Sequence, residues 1–184
     1  MRQHSMSLAD RGLLHGYLTP WLTIGLFVFL TIIAVINWWY RSPITAGTIM
    51  VNEIAQLADI FKKIDATCTI LSFDNQKNKI NFLNVKKDGF VGSQVGPMNL
   101  AHPDKWEGPY LVENLKMFDH VYQIVRTNKG YFITPGDGLV LPNGKVIGKD
   151  ILLDANADVV HMMHDDTLLS FNGKPLAVQI KVKQ

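Results

Sequence analysis

The longest hydrophobic stretch of the chain lies near its N-terminus, from residue 21 to residue 40, and contains no charged side chain. Its length of about twenty residues is what an α-helix needs to cross a hydrocarbon layer of about 30 Å. Tyrosine and tryptophan side chains flank it at both ends, where membrane proteins place aromatic rings. We therefore predict a transmembrane helix over residues 21–40, preceded by a short tail over residues 1–20.

Two other interpretations of this stretch stay open, a buried core helix and a cleaved signal peptide. A signal peptide has a shorter apolar run followed by small residues, whereas Trp38, Trp39 and Tyr40 stand at that point here. A retained single-pass anchor is therefore favoured. Basic residues on the two sides are nearly balanced, so we assign the short tail to the inside as the simpler product of insertion. The C-terminal head is then extracytoplasmic, which in a bacterium means periplasmic.

A second periodic pattern follows the anchor. Apolar residues recur at spacings of three and four from Val51 to Ile64, and polar residues fall largely between them. Ser42-Pro43 is typical of a helix start. The pattern predicts an amphipathic helix over residues 42–66. Because Pro43 lies so close to the anchor, the alternative is one long helix kinked at the membrane surface.

Beyond residue 66 the pattern changes to short β-prone runs separated by turn residues, which predicts a mainly antiparallel β head over residues 67–184. The clearest hairpin pairs residues 120–127 with 131–134. We expect three further local pairings: residues 68–73 with 79–83, the two sides of the turn within 138–148, and residues 168–171 with 176–182. Residues 85–105, rich in glycine and proline, indicate an irregular loop. A helix packed on antiparallel strands is an α+β fold.

Composition narrows the function classes. The 184 residues suffice for one ordinary domain and a small appendage. Charged residues make up 18% of the chain, against about 25% in soluble proteins, which favours a membrane component. A net charge of +2 is too small for a nucleic-acid binder. Cys68 is the single cysteine, so an intramolecular disulfide is excluded, and we expect it to pack as a small hydrophobe in an apolar strand.

One short motif carries a family resemblance. The stretch Lys105-Trp106-Glu107-Gly108-Pro109-Tyr110-Leu111 resembles the W-x-G-P-Y-L stretch of the major pseudopilins of type II secretion. Trp106 and Tyr110 offer large apolar surfaces that anchor a loop, and Gly108-Pro109 fixes a turn between them. Over roughly residues 43–140 the plan is also similar to that of type IV pilins, in which a long N-terminal helix begins in the membrane and ends against a small antiparallel sheet.

The resemblance implies a structural or assembly subunit of a secretion or pilus-type machine, whose partners are the lipid bilayer and copies of itself or sister subunits. In that family a leader ends in glycine and the fifth residue after it is glutamate. Here Arg11-Gly12 resembles the end of a leader, but the fifth residue is Tyr17, and no acidic residue lies between Asp10 and Glu53. The alternative is a single-pass accessory subunit of another membrane complex, with the head as a binding module.

An acidic segment is the strongest candidate for ligand chemistry. Asp154, Asn156 and Asp158 place oxygen-bearing side chains at alternate positions, as calcium loops do, and Asp165 stands where a twelfth ligand would be. Val159 occupies the position that needs glycine in an EF-hand, so a looser calcium site and a solvated turn are the two alternatives. Calcium binding in a C-terminal loop is also what the resemblance to the major pseudopilins implies.

Other chemistry has weaker support in the sequence. His161 and His164 could present two imidazoles to a transition metal, although exposed histidines beside an acidic turn are the commoner meaning. Gly136-Asp137-Gly138 is too short for a phosphate loop and precedes no predicted helix. No local motif indicates a catalytic triad or paired carboxylates. We therefore expect no enzymatic activity.

Overall fold

The computed structural model describes residues 8–180 and gives side-chain environments for residues 20–37 and 43–180. The chain divides into two units, residues 1–42 and residues 43–184. The first contains the apolar segment, and the second, which we call the head, combines helix with small antiparallel sheets. This combination confirms the α+β class.

Helix α1 spans Leu8–Cys68 without interruption. Ser42-Pro43 therefore does not begin a second helix, and the continuity that the alternative expected is present. Its kink at the membrane surface stays a prediction. Pro43 lies inside the helix, where a proline removes one backbone hydrogen bond and crowds the preceding turn. Within the predicted tail over residues 1–20, residues 8–20 are helical, and residues 1–7 lie outside the described residues.

The apolar part of α1 is long and hydrophobic enough to cross a membrane. The segment Pro20–Asn37 has a mean hydropathy of 2.1, and all of its side chains are exposed in the isolated chain. Length and composition are the grounds for this assignment.

Within the head, α1 presents a continuous buried stripe. Its members recur at spacings of three and four and are at most 2% exposed: Met50, Ile54, Leu57, Phe61, Ile64 and Cys68. Burying each large side chain contributes roughly 1.5–3 kcal/mol. The amphipathic pattern is thus confirmed, and the helix continues past residue 66 to Cys68. Cys68 is buried as expected but lies at the helix end, so its assignment to a strand was wrong.

The larger sheet has four antiparallel strands, in the order β11 (Val178–Ile180), β8 (Gly130–Thr134), β7 (Gln123–Thr127) and β2 (Lys77–Lys79). Its centre is the hairpin of β7 (Gln123–Thr127) and β8 (Gly130–Thr134), with Ile124 opposite Ile133 and Val125 opposite Phe132. This is the hairpin that the sequence predicted most clearly, and it is confirmed. Its outer strands are β2 (Lys77–Lys79) and β11 (Val178–Ile180).

The first predicted hairpin was wrong, because its two halves belong to different sheets. Strand β1 (Ile70–Phe73) pairs with β4 (Met98–Leu100), which also pairs with β3 (Gln94–Val95). The bend after β1 is closed by the buried side chain of Asn78, whose amide donates to Asn75 O at 2.6 Å.

Residues 85–105 are correspondingly less irregular than predicted, since they contain β3, β4 and a short 3-10 turn at Pro103–Lys105. Strand β4 pairs with β1 across about twenty-five residues of chain. No local alternation of apolar and polar residues could therefore predict this pairing.

The C-terminal pairing was also misplaced. Strands β9 (Ser170–Phe171) and β10 (Lys174–Pro175) form a tight hairpin around Asn172-Gly173. Strand β11 instead joins the large sheet beside β8. A second small ribbon consists of β5 (Lys116–Met117) and β6 (His120–Val121). The predicted turn within residues 138–148 is present as a bridge between Val140 and Val146.

Candidate functional sites

The loop that carries the family resemblance packs around Trp106. This side chain has no solvent exposure, and its indole Nε1 donates to Val85 O at 3.0 Å. The rings of Phe90 and Tyr110 meet it edge to face, with centroids 6.0 and 4.8 Å away. Trp106 is thus held by one hydrogen bond and two aromatic contacts.

Gly108 is required by this packing. A Cβ atom added there would lie 2.3 Å from Trp106 Nε1 and 2.5 Å from Val85 O, so any side chain would displace the indole or the backbone. The following peptide, Gly108-Pro109, is cis. Of the four residues named from the motif, Trp106, Gly108 and Tyr110 therefore pack together, while Pro109 is exposed.

Helix α1 contacts the same loop through charged and aromatic groups. Lys63 Nζ lies 2.9 Å from Glu107 Oε2 and 5.6 Å from the centre of the Tyr110 ring. The hydrogen bond and charge of Glu107 raise the pKa of Lys63. Both partners of this ion pair are more than half exposed, so it contributes little to stability.

The Tyr110 hydroxyl is a buried polar group. Desolvation raises the pKa of Tyr110, against the smaller opposing effects of the Glu107 backbone and the Thr67 side chain. Its oxygen has no well-formed hydrogen bond to any group in the described part of the chain. The ring therefore contributes packing, and its hydroxyl adds no directional bond.

A contact that the sequence did not reveal joins α1 to the large sheet. The Tyr122 hydroxyl donates to Glu53 Oε2 at 2.5 Å, and Tyr122 is buried. Burial, together with the hydrogen bond and charge of Glu53, raises the pKa of Tyr122 far above its usual range. Only a slight indication of this contact is present in the sequence. Glu53 is next to Ile54, a member of the buried stripe of α1, so the Glu53 side chain starts at the edge of that stripe.

The acidic segment is already engaged with neighbouring groups. Asp154 Oδ1 accepts from the backbone N–H of Asn156, and Asn156 Oδ1 accepts from Asn128. Asp158 caps the short helix α2 (Val159–Met162) and pairs with Lys129 at 2.6 Å. The hydrogen bond from Lys129 and that from the backbone of His161 lower the pKa of Asp158.

These contacts are those of a solvated turn with a helix cap. They leave the calcium prediction for Asp154, Asn156 and Asp158 open to the test given below.

The two histidines line an open cleft of about 640 Å³ together with Lys129, Asp158 and Asp165. His164 Nδ1 is hydrogen-bonded to Val160 O at 2.8 Å. Within residues 8–180, no three His, Cys, Asp or Glu side chains converge as a metal centre would require. The cleft therefore offers one cation and several carboxylates on an exposed surface.

Gly136-Asp137-Gly138 has a structural role in this fold. Lys77 Nζ contacts both oxygens of Asp137 at 2.9 and 2.8 Å, and Gln123 donates to the same carboxylate at 3.2 Å. A Cβ at Gly136 would lie 2.0 Å from Val121 O, so this position must be glycine. The segment thus ties β2 and β7 together through the Asp137 carboxylate.

No family model, curated protein or solved structure matches this chain.

Proposed function

We propose that this protein is a membrane-anchored, pilin- or pseudopilin-like structural or assembly subunit of a secretion or pilus-type machine. The observation that carries the proposal is α1, a single helix that contains both the apolar segment Pro20–Asn37 and the buried stripe of the head. A subunit of this type uses one helix both as anchor and as core element. An anchor added to an unrelated binding module would need no such continuity.

Two further features support the proposal. The head consists of one long helix and small antiparallel sheets, which is the plan of that family. The motif residues that resemble the pseudopilin loop lie around a buried indole and next to Lys63 of α1. The partners would be the bilayer and copies of this chain or sister subunits, with the head on the extracytoplasmic, periplasmic side.

The alternative is a single-pass accessory subunit of another membrane complex. The observation that favours it is the N-terminal sequence, in which Tyr17 stands where the family has its glutamate. No acidic residue is available between Asp10 and Glu53 to take over that role.

Intact-mass measurement of the chain extracted from its native membrane tests the two functions against each other. A chain that begins at Leu13 supports a processed subunit, and cross-linked oligomers of it in the same membranes support assembly. A chain that retains Met1 and forms no oligomers would assign the accessory function instead.

A further inference from the structure

The chain contains the tripeptide Asn-Gly-Lys twice, and the two copies lie in different turns. One copy, residues 143–145, belongs to the turn that is bridged by Val140 and Val146. The other copy, residues 172–174, includes the tip of the β9–β10 hairpin. Both asparagines are exposed. Because the two tripeptides are identical, a difference in their chemical reactivity would come mainly from the fold around them.

An Asn-Gly pair loses ammonia without an enzyme when its surroundings allow it. The backbone nitrogen of the glycine attacks the side-chain carbon Cγ of the asparagine, and glycine permits this approach because it has no Cβ atom. The reaction is favoured by a side-chain amide that is free to rotate. It is also favoured by a base that accepts the proton of the glycine N–H.

The surroundings of Asn143 oppose this reaction. Its Nδ2 donates to two backbone carbonyl oxygens, at 3.2 and 3.0 Å, and its Oδ1 accepts from the backbone N–H of Lys145 at 3.1 Å. The N–H of Gly144 donates to Leu141 O at 2.9 Å, and a backbone carbonyl does not act as a base. The amide of Asn143 is thus fixed, and the neighbouring nitrogen contacts no base.

The surroundings of Asn172 favour the reaction. Within the described part of the chain, no group forms a hydrogen bond with the Asn172 side chain. The N–H of Gly173 donates to Asp166 Oδ1 at 3.1 Å. The hydroxyl of Ser170 donates to the same oxygen, which holds the carboxylate in place. A free amide and a base in contact with the reacting nitrogen therefore occur together in this turn.

We propose that Asn172 is a site of spontaneous deamidation in the folded protein, with the Asp166 carboxylate as the base. The nitrogen of Gly173 forms a bond to Asn172 Cγ, and Asp166 takes its proton. The bond from Cγ to Nδ2 breaks, and Nδ2 leaves with that proton as ammonia. Water then opens the resulting five-membered succinimide at either carbonyl carbon, which gives aspartate or isoaspartate.

Both products change the β9–β10 hairpin. Each adds a negative charge close to the Asp166 carboxylate, and like charges repel. Isoaspartate also adds one atom to the backbone of a two-residue turn, whose register places Lys174 opposite Phe171. The ring of Phe171 lies close to Gly47 of α1. We therefore expect deamidation to loosen the hairpin and to lower the melting temperature of the chain.

Peptide mapping by mass spectrometry measures both asparagines in one sample of the full chain. The protein would be incubated in detergent at physiological temperature and pH, and a second sample would be unfolded in urea. Each folded-state rate is divided by the rate of the same site in the unfolded chain. By this measure Asn172 should convert at least about tenfold faster than Asn143. Equal values, or faster conversion of Asn143, would overturn the proposal.

Asp166→Asn tests the base, because it keeps an acceptor oxygen for the Gly173 N–H and removes the carboxylate. Conversion of Asn172 should slow by at least about tenfold relative to Asn143 in the same chain. If Asp166 only held the hairpin together, the variant would loosen the turn and Asn172 would convert faster. Unchanged or faster conversion would therefore exclude Asp166 as the base. Asp59→Asn, on the exposed face of α1, is the matched control and should change neither rate.

Asn172→Gly tests the effect on the hairpin. Glycine accepts the left-handed conformation of this position, where φ is +51°, and has no amide to lose. After the same incubation, the melting temperature of the wild type should fall and that of the variant should not. A wild type that is converted at Asn172 but melts as before would show that the turn tolerates the product.

Discussion

Trp106 combines a hydrogen bond with complete burial, so its replacement affects both. Trp106→Ala would remove the two ring contacts and leave Val85 O without its indole donor. Such a truncation typically costs about 3–5 kcal/mol, against a total stability of about 5–15 kcal/mol for a domain. We expect a large fall in the melting temperature, measured by circular dichroism in detergent.

Val112→Ala serves as the control, because Val112 is 94% exposed and its loss should leave stability nearly unchanged. A Trp106→Ala melting temperature within one degree of wild type would show that the indole does not anchor the loop.

Tyr122 gives a prediction about pH. Its pKa is raised above its ordinary value of about 10, so the folded state holds the phenolic proton more tightly than the unfolded chain does. The stability that the folded state gains by holding this proton is complete below pH 10. It is lost as the pH rises toward the folded-state pKa. The free energy of unfolding should therefore fall above pH 10, and less steeply in Tyr122→Phe.

At neutral pH the same variant should lose roughly 1–3 kcal/mol, because the Glu53 carboxylate loses its phenolic donor. Denaturant titrations at pH 7 and pH 11 measure both effects. If the free energy of unfolding depends on pH equally in wild type and in Tyr122→Phe, the loss of stability above pH 10 does not come from Tyr122.

The sequence reveals these two residues to different degrees. Trp106 could be singled out because a large aromatic side chain beside Gly108-Pro109 forms a local pattern. The Tyr122–Glu53 bond joins residues 69 positions apart, so no local pattern contains it.

At the scale of elements, the β9–β10 hairpin depends on a glycine in α1. A Cβ atom at Gly47 would lie 2.6 Å from two carbons of the Phe171 ring. Gly47→Ala should therefore destabilise the head by about 1–3 kcal/mol through overpacking, even though alanine favours helix. Urea denaturation of the full chain measures the loss.

The double variant Gly47→Ala/Phe171→Ala supplies the control. With the ring removed, the added methyl group should cost little, so the two changes should be strongly non-additive. Additive losses would mean that ring and glycine do not share a contact.

The calcium prediction belongs to the segment from Asp154 to Asp158. Binding to the folded state alone would stabilise by about 2.7 kcal/mol at a hundredfold excess over Kd. Extracellular calcium modules bind at about 10⁻⁴–10⁻³ M, so millimolar calcium should raise the melting temperature relative to chelator. Magnesium should do less, because it gives up its water shell reluctantly.

Asp158→Ala should abolish the rise in melting temperature that calcium causes. The quantity to compare between variant and wild type is this rise, not the melting temperature itself. The variant loses the cap of α2 and the Lys129 pair in any case, so its absolute stability falls somewhat without any metal. Asp88→Ala, at an exposed position elsewhere, is the control and should keep the increment. Identical melting of the wild type with calcium and with chelator would leave only a solvated turn.

The elements that sequence could predict are those whose partners are close in the chain. Strands β7 and β8 are joined by a two-residue turn, so alternation and turn residues occur in one window. Strands β1, β2 and β11 pair with distant segments, and proximity suggested the wrong partners. The helical periodicity of α1 is local throughout, which is why its buried stripe followed the predicted spacing.

At the scale of the whole molecule, the two units need different surroundings. The head encloses an extensive apolar core, from Met50 of α1 to Ile180 of β11. The segment Pro20–Asn37 instead exposes every one of its apolar side chains, including Trp21 at 74% and Phe27 at 73%. Exposing apolar surface to water costs about 25 cal/mol per Å². Lipid chains contact the same surface without that cost.

We therefore expect the full chain to remain in the membrane pellet after extraction with alkaline carbonate and to be released only by detergent. Replacing Ile24 and Phe29 by aspartate would put two charges at membrane depth, each costing at least about 2.5 kcal/mol there. This double variant should shift to the carbonate supernatant. The control, with aspartate at exposed Val91 and Val112 of the head, should stay in the pellet. Release of the intact wild-type chain by carbonate would show that this helix is held by protein contacts alone.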